Sequence, residues 1–334
     1  MSRWQAFKHS PYYAAVVISL LAAVGAAVFA GAYTYALANP TPHRMPVAVA
    51  GEPESARTTA YVSALEEALH TTLRIRTYPG YPQAVDAVER QRVFAIVRER
   101  DGAIDLSVSS ASGASVAELL KTAGPAAGHT IGAQVTVTDL KPLHSGDPRG
   151  LALFYITLAA VIIGFLGTIQ LSVHASRLTP GERIVAVAGF SALGGFLIAA
   201  TVDWILDAVP LPLISWLQLM LTMFTAGMVF TVFNTFFGRW ALLPTWALLV
   251  ILGNPASGGP VSWPLLPAAL GILGRWLPPG ASVNALHNAV YFHGYQHLQP
   301  YLVLLGWALV SSVIFWTWRT RHPGGREKHE SPAL

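Results

Sequence analysis

Groups able to do chemistry are few in this chain, and their spacing decides most of the argument. Serines crowd one stretch as Ser107, Ser109, Ser110, Ser112 and Ser115. A serine nucleophile needs a G-x-S-x-G turn, and none surrounds them. They read as a polar strand edge and loop. Arg90, Arg92, Arg98 and Arg100 form a basic run that could hold an anion or a lipid headgroup. Glu89, Glu99 and Asp101 interleave with it, which is the pattern of a paired, solvated surface. Asp203 and Asp207 lie four apart, a spacing that puts two carboxylates on one helix face as a proton relay would need. Their place in the last turn of an apolar run also exposes them to water. His287, His293 and His297 could ligate a metal, but Gly294 interrupts the set and no acid lies near, so no metal site is expected. Cysteine is absent, which removes disulfides, thiolate metal sites and cysteine nucleophiles. No G-x-x-x-x-G-K-[ST] occurs, so the chain has no P-loop. The chain reads as a non-enzyme that needs no cofactor.

The elements that position these groups are mostly apolar. Of 334 residues, 53% are hydrophobic and only 11% charged, against about a quarter charged in soluble domains. Six apolar runs, 14–37, 151–173, 184–206, 213–233, 240–252 and 298–318, are read as transmembrane helices. The fifth is too short alone and is expected to borrow from its flanks, from Phe236 onward. Ala36-Leu37-Ala38 mimics a signal-peptidase site, but the first run exceeds a signal-peptide core and reads as an uncleaved anchor. Tyr12, Tyr13, Tyr33 and Tyr35 flank it as interfacial anchors would. The fold class expected is an α-helical polytopic membrane protein with six transmembrane helices and an inserted α/β extracytoplasmic domain. Its parts are residues 1–39, a cytoplasmic tail and first helix; 40–149, the outer domain; 150–318, five helices; and 319–334, a basic cytoplasmic tail.

Charge fixes the expected orientation. The segment 41–150 holds 11 of the chain's 21 Lys/Arg and 12 of its 17 Asp/Glu. It is near neutral, so the net charge of +4 is no nucleic-acid signature. The excess sits in short connections: Arg3 and Lys8 before the first run, Arg177 and Arg183 after the second, Arg239 after the fourth, and Arg319, Arg321, Arg326 and Lys328 after the sixth. With alternating crossings all four groups fall on one side, which the positive-inside rule makes cytoplasmic. Both termini are then inside a plasma (inner) membrane, and 40–149 lies outside. Residues 4–12, with Trp4, Phe7 and Lys8, suit an interfacial helix.

Within the outer segment the periodicity predicts a strand at 45–50, a helix at 56–73 through Val62, Leu65 and Leu69, a strand at 73–76, and a helix at 82–90. A buried strand at 93–97 follows, then alternation at Leu106 and Val108, a helix at 115–122 and a strand at Val135 and Val137. This order implies βαβ crossovers and a small, partly parallel sheet. Gly189, Gly194 and Gly195 in the third run allow close helix contact, and Asn234 could bond across helices.

Residues 253–297 are apolar yet rich in Pro and Gly, so no single helix runs through them. They read as a re-entrant or interfacial hairpin of two short helices, 264–276 and 281–291. Gly253-Asn254-Pro255-Ala256-Ser257-Gly258-Gly259, Leu265-Leu266-Pro267, Trp276-Leu277-Pro278-Pro279-Gly280-Ala281 and Asn284-Ala285-Leu286 together resemble the end of type-2 ABC exporter permeases. The order of one span, a large outer domain and five spans is similar to the YhgE/Pip-like branch. Residues 46–49 look like that branch's first strand, and Gln83-Ala84-Val85-Asp86-Ala87-Val88 with Phe94-Ala95-Ile96-Val97 like its second repeat unit. Ala50-Gly51-Glu52 lacks the Asn-x-Asp pattern associated with the family, so no ligand role carries over to that loop.

The resemblance implies a permease half that works as a homodimer in the lipid bilayer, powered by a separate cytoplasmic ATPase. It implies that Arg177, Glu182 and Arg183, in the first cytoplasmic loop, contact that ATPase, and that Pro255, Gly258, Pro267, Pro278 and Gly280 shape the outer hairpin. The nearly uncharged spans suit a hydrophobic or amphipathic exported substrate. The alternative is an ATPase-free receptor or envelope scaffold displaying the outer domain. A lipid-modifying membrane enzyme would need an acid–base or metal cluster that the sequence does not contain.

Overall fold

The structure is a computed structural model that describes residues 10–51 and 55–322. The expected interfacial segment around Trp4, Phe7 and Lys8, the charges Arg3, Arg326 and Lys328, and Glu52 lie outside the described residues. Among the described residues, five helices are long and apolar enough to cross a membrane. They are α1 (Pro11–Leu37), α5 (Ala152–His174), α6 (Pro180–Ala200, continued by a π-helical turn Thr201–Ile205), α7 (Leu213–Phe237) and α11 (Gln299–Arg321).

The expected fifth crossing is different. Phe236 and Phe237 complete α7, and Gly238 ends that helix at φ 52°, a backbone only glycine adopts freely. A 3₁₀ turn, Gly238–Trp240, leads into α8, which runs Leu242–Trp246 as α-helix and Ala247–Gly253 as π-helix. Leu242–Gly253 is a shorter apolar helix, about 18 Å long at 1.5 Å per residue. That falls short of the roughly 30 Å of a hydrocarbon core. What it borrows starts at Gly238 rather than Phe236.

Helix α7 is the centre of the bundle. Two-thirds (67%) of its apolar window is buried, against none of α1's, and α5, α6 and α11 all pack on it. Glycine permits the approach. A methyl group at Gly164 of α5 would sit 2.6 Å from the Met223 carbonyl oxygen, and one at Gly195 of α6 would sit 2.6 Å from the Met220 nitrogen. Gly194 abuts the Met223 side chain, whereas Gly189, grouped with these in the sequence reading, faces open space. Helix α1 is peripheral, with Phe29 stacked on Trp246 of α8 at 5.8 Å.

Between α1 and α5 the chain builds a five-stranded sheet in the order β2-β1-β3-β4-β5. The strands are β1 (Pro46–Ala50), β2 (Arg74–Tyr78), β3 (Ala95–Arg100), β4 (Ala103–Val108) and β5 (Val135–Asp139). β1 pairs parallel with β2 and β3, and β4 parallel with β5, while β3 and β4 are antiparallel. Asp101 (φ 50°) and Gly102 (φ 78°) make the two-residue turn between them, the backbone that Asp-Gly favours in hairpins.

The helices are α2 (Ala56–Leu69), α3 (Tyr81–Glu89) and α4 (Ala114–Thr130). Period-2 alternation sorts the sheet's faces. Val47, Val49, Ala95 and Val97 pack with Tyr61 and Leu65 of α2 and Leu120 of α4. Ala48, Ala50 and Ile96 pack with Ala84, Ala87 and Val88 of α3.

The Pro/Gly-rich segment joins domain to bundle. A 3₁₀ turn (Trp263–Leu265), α9 (Ala268–Leu273), a second 3₁₀ turn (Gly274–Trp276) and α10 (Pro278–Tyr291) follow α8. Val261, Leu265 and Leu266 enter the domain's own core. The Ser262 amide donates to the Ser115 hydroxyl at 2.9 Å and the His43 amide to the Pro264 carbonyl at 2.7 Å. On the other side, Ser282 of α10 meets Thr222 of α7 at 2.7 Å between hydroxyls. The hairpin is therefore a wedge between the sheet domain and the helices.

Candidate functional site

The expected loop residues sit at the end of the bundle remote from the sheet. Thr179 and Glu182 form a capping box at the start of α6, which satisfies otherwise orphaned backbone donors. Arg183 is buried; its guanidinium donates to the Ser172 hydroxyl at 2.7 Å and the Ala175 carbonyl at 3.1 Å. It lines a pocket of about 300 Å³ that also holds Asn234, Trp318 and Arg319. Only Arg177 and Glu182 of the trio present exposed side chains.

Asp203 falls in the π-helical turn, and Asp207 has left the helix at φ 49°. The single helix face expected for the pair does not form. His297 donates to the Arg90 carbonyl at 3.1 Å and His293 is exposed, while His287 faces the sheet domain. Among the described residues no three His, Asp or Glu side chains converge.

The serine stretch folds as capping structure. Ser109 bonds Ser112, hydroxyl to hydroxyl, at 2.7 Å. Ser110 donates to the Asp139 carboxylate, and Lys121 reaches Asp139 at 3.1 Å and Ser110 at 3.1 Å. Burial alone would raise the Asp139 carboxyl, but the Ser110 hydroxyl and amide and the Lys121 ammonium outweigh it and hold the carboxyl below the usual range. Ser110, Lys121 and Asp139 thus hold one another, tying the start of α4's loop to β5.

The hairpin residues do what close packing requires. Gly258 (φ 80°) turns against the Trp263 indole. Pro267 precedes α9. Pro278 opens α10 as its first residue, where its missing amide costs nothing, so Pro278 and Gly280 belong to the helix rather than to a linker. A methyl group at Gly280 would overlap the Gly274 carbonyl, and one at Gly274 the Ala256 carbonyl. Pro255 follows Asn254 at the end of α8, in a buried turn.

The sheet domain meets α10 through polar contacts. Gln91 donates to Asn288 at 2.5 Å, the Arg90 guanidinium lies 4.6 Å from the Tyr295 ring centre, and Lys141 lies 4.9 Å from that of Phe292. Asp147 caps α5, accepting from the Leu151 and Ala152 amides at 3.0 and 2.9 Å. Burial in this joint pushes the His287 imidazole down to about 4; the Asp147 charge and the Ala111 backbone oppose it. Burial likewise raises the Tyr291 phenol to about 12.

Beside this joint opens a cleft of about 1040 Å³ between the sheet domain and the hairpin. Six arginines line it: Arg44, Arg74, Arg76, Arg90, Arg92 and Arg275. The basic run read from the sequence splits accordingly. Arg98 pairs with Asp105 at 2.6 Å and Arg100 with Asp101 at 3.4 Å, away from the cleft. Arg90, paired with Asp86 at 2.6 Å, and Arg92 turn into it. The other four arginines went unnoticed as site residues; Arg74-Ile75-Arg76 was the available signal, because period-2 alternation puts both on one sheet face.

The described residues define a mostly helical protein with five helices of membrane-spanning length and a small mixed sheet. No protein-family model matches the chain, and no curated protein matches it.

Proposed function

We propose that this chain is the permease subunit of an ABC-type exporter for a hydrophobic or amphipathic substrate, acting as a homodimer with a separate ATPase. The observation that carries the reading is the wedge. The segment whose residues resemble type-2 permeases of the YhgE/Pip-like branch folds as a tight hairpin clamped between sheet domain and bundle. Such a joint lets movement of the helices reach the outer domain. Helix α1 buries none of its apolar window within the chain, leaving that surface for lipid or a second copy. The reading places both termini and the Ala175–Thr179 turn on the cytoplasmic side of the plasma membrane.

Burial of Arg183 narrows the ATPase contact to Arg177 and Glu182. The test is to purify the protein from its native membrane in mild detergent and identify its companions by mass spectrometry. A stoichiometric P-loop ATPase, lost on Arg177→Glu, supports the reading. Repeated recovery of envelope proteins alone overturns it in favour of a receptor or scaffold. That second reading is favoured by how little chain lies between α5 and α6 to dock a motor.

A further inference from the structure

The arginine cleft carries more positive charge than the fold itself uses. Six arginines line one space. Among the described residues the only lining arginine with a carboxylate within 4.0 Å is Arg90, held by Asp86. Asp86 also feels Arg92, and its carboxyl is held below the usual range, first by the Arg90 hydrogen bond. Arg74 and Arg76 project from the edge strand β2, and Arg44 sits at φ 47° just before β1. Arg275 stacks on Trp263, 4.7 Å from the ring centre. With Asp86 the one carboxylate paired among these arginines, the like charges repel one another and favour an oxyanion, and guanidinium forks match phosphate geometry.

The depth of the cleft decides which oxyanion. Pro42 and His43 line it just after α1 ends at Leu37, and Gln299 lines it where α11 begins. Two apolar helices thus end at its rim, at the level where a bilayer passes from acyl chains to headgroups. The cleft's other wall is apolar, with Phe94, Trp263, Leu266 and Ile272. Ile272 (68%) and the neighbouring Leu273 (42%) and Trp276 (59%) are exposed. A free phosphate needs no such wall, whereas an amphiphile needs both halves. The volume suits a whole headgroup with the start of its chains.

We propose that this cleft binds the phosphodiester headgroup of an anionic membrane lipid, with its acyl chains leaving over Ile272, Leu273 and Trp276. That the lipid is cargo rests on the permease reading; the binding site does not.

The test uses the full chain in phosphatidylcholine nanodiscs containing a minor fraction of phosphatidylglycerol, without ATP or any ATPase. Native mass spectrometry counts the retained lipid, and titration with fluorescent phosphatidylglycerol measures affinity. The variant Arg74→Gln/Arg76→Gln/Arg92→Gln is compared with a charge-matched control, Arg57→Gln/Arg100→Gln/Arg149→Gln. At about fivefold per arginine near a lipid surface, the cleft variant should lose about a hundredfold in affinity and the control far less. Should the triple variant fail to fold, Arg74→Gln alone should show the fivefold loss. Equal loss in both triple variants, or no preference for phosphatidylglycerol over phosphatidylcholine, overturns the site. Full displacement by soluble glycerol phosphate would reassign it to a free anion and overturn the lipid claim. Repeated absence of any ATPase from the wild-type co-purification, with lipid binding intact, would defeat the permease reading alone.

Discussion

Acidifying the medium from about pH 7 to about pH 5 should loosen the joint between the sheet domain and α10 through His287. This imidazole ordinarily titrates at 6.5 and is pushed down to about 4 by burial. The folded state therefore holds it neutral where the unfolded state binds a proton. Its contribution is complete above about 6.5, declines as pH falls, and is exhausted near 4. Linkage between those two values gives a loss of under about 1 kcal/mol at pH 6 and about 2 kcal/mol at pH 5, relative to pH 7. Asp147, the charge that opposes the shift, limits the loss. The depressed carboxyls of Asp86 and Asp139 carry the same sign, since their contribution is also lost as pH falls, but lower on the scale. They stabilise above their unfolded values and release only in stronger acid, outside this window. The assay is thermal unfolding in detergent followed by tryptophan fluorescence at pH 7, 6 and 5, with His287→Gln in parallel. The wild type should lose stability over the window and the variant much less. Parallel losses in the two proteins would refute the assignment of the pH response to His287.

Other perturbations test the packing. Asp147→Ala removes the acceptor for two amides at the start of α5 and should cost about 1 kcal/mol, read as a lower unfolding midpoint that Asp147→Asn partly restores. Gly274→Ala drives a methyl group into the Ala256 carbonyl, whereas Gly306 has open space around it; the first should cost about 1–3 kcal/mol or more and reduce monodisperse yield, and Gly306→Ala should leave it unchanged. Gly102→Val strains the β3–β4 turn at φ 78° by about 1–2 kcal/mol, measurable as faster amide exchange in both strands. Arg183→Ala should destabilise the α5–α6 turn, while Arg177→Ala should stay within about 0.5 kcal/mol of wild type, since only Arg183 is bonded into the fold.

Hydropathy and short-period alternation made the long helices and most of the sheet domain legible. Residues 45–50, 82–90 and 115–122 appear as β1, α3 and the first half of α4, because half-buried elements write their own period into the chain. Turn chemistry was also present and went unread: Asp101-Gly102 marks the antiparallel β3–β4 hairpin inside an otherwise parallel pattern. The Asp203/Asp207 pair went astray for a local reason. That reading assumed a regular α-helix where the chain makes a π-helical turn, and apolar composition does not distinguish the two.

The chain by itself determined which segments avoid water, which alternate, and that one Pro/Gly-rich segment could not be a through-going helix. Those are local properties, set by each residue's transfer energy and backbone freedom. The tertiary structure alone decided what meets what. It buried Arg183 while leaving Arg177 outside, sent Arg98 and Arg100 to carboxylates, and brought Arg44, Arg74, Arg76, Arg90, Arg92 and Arg275 to one cleft. That gathering depends on β2 lying at the sheet edge beside β1 and on a hairpin more than 150 residues away folding beneath it. Contacts across such separations follow from how whole faces pack, which no short window of sequence encodes.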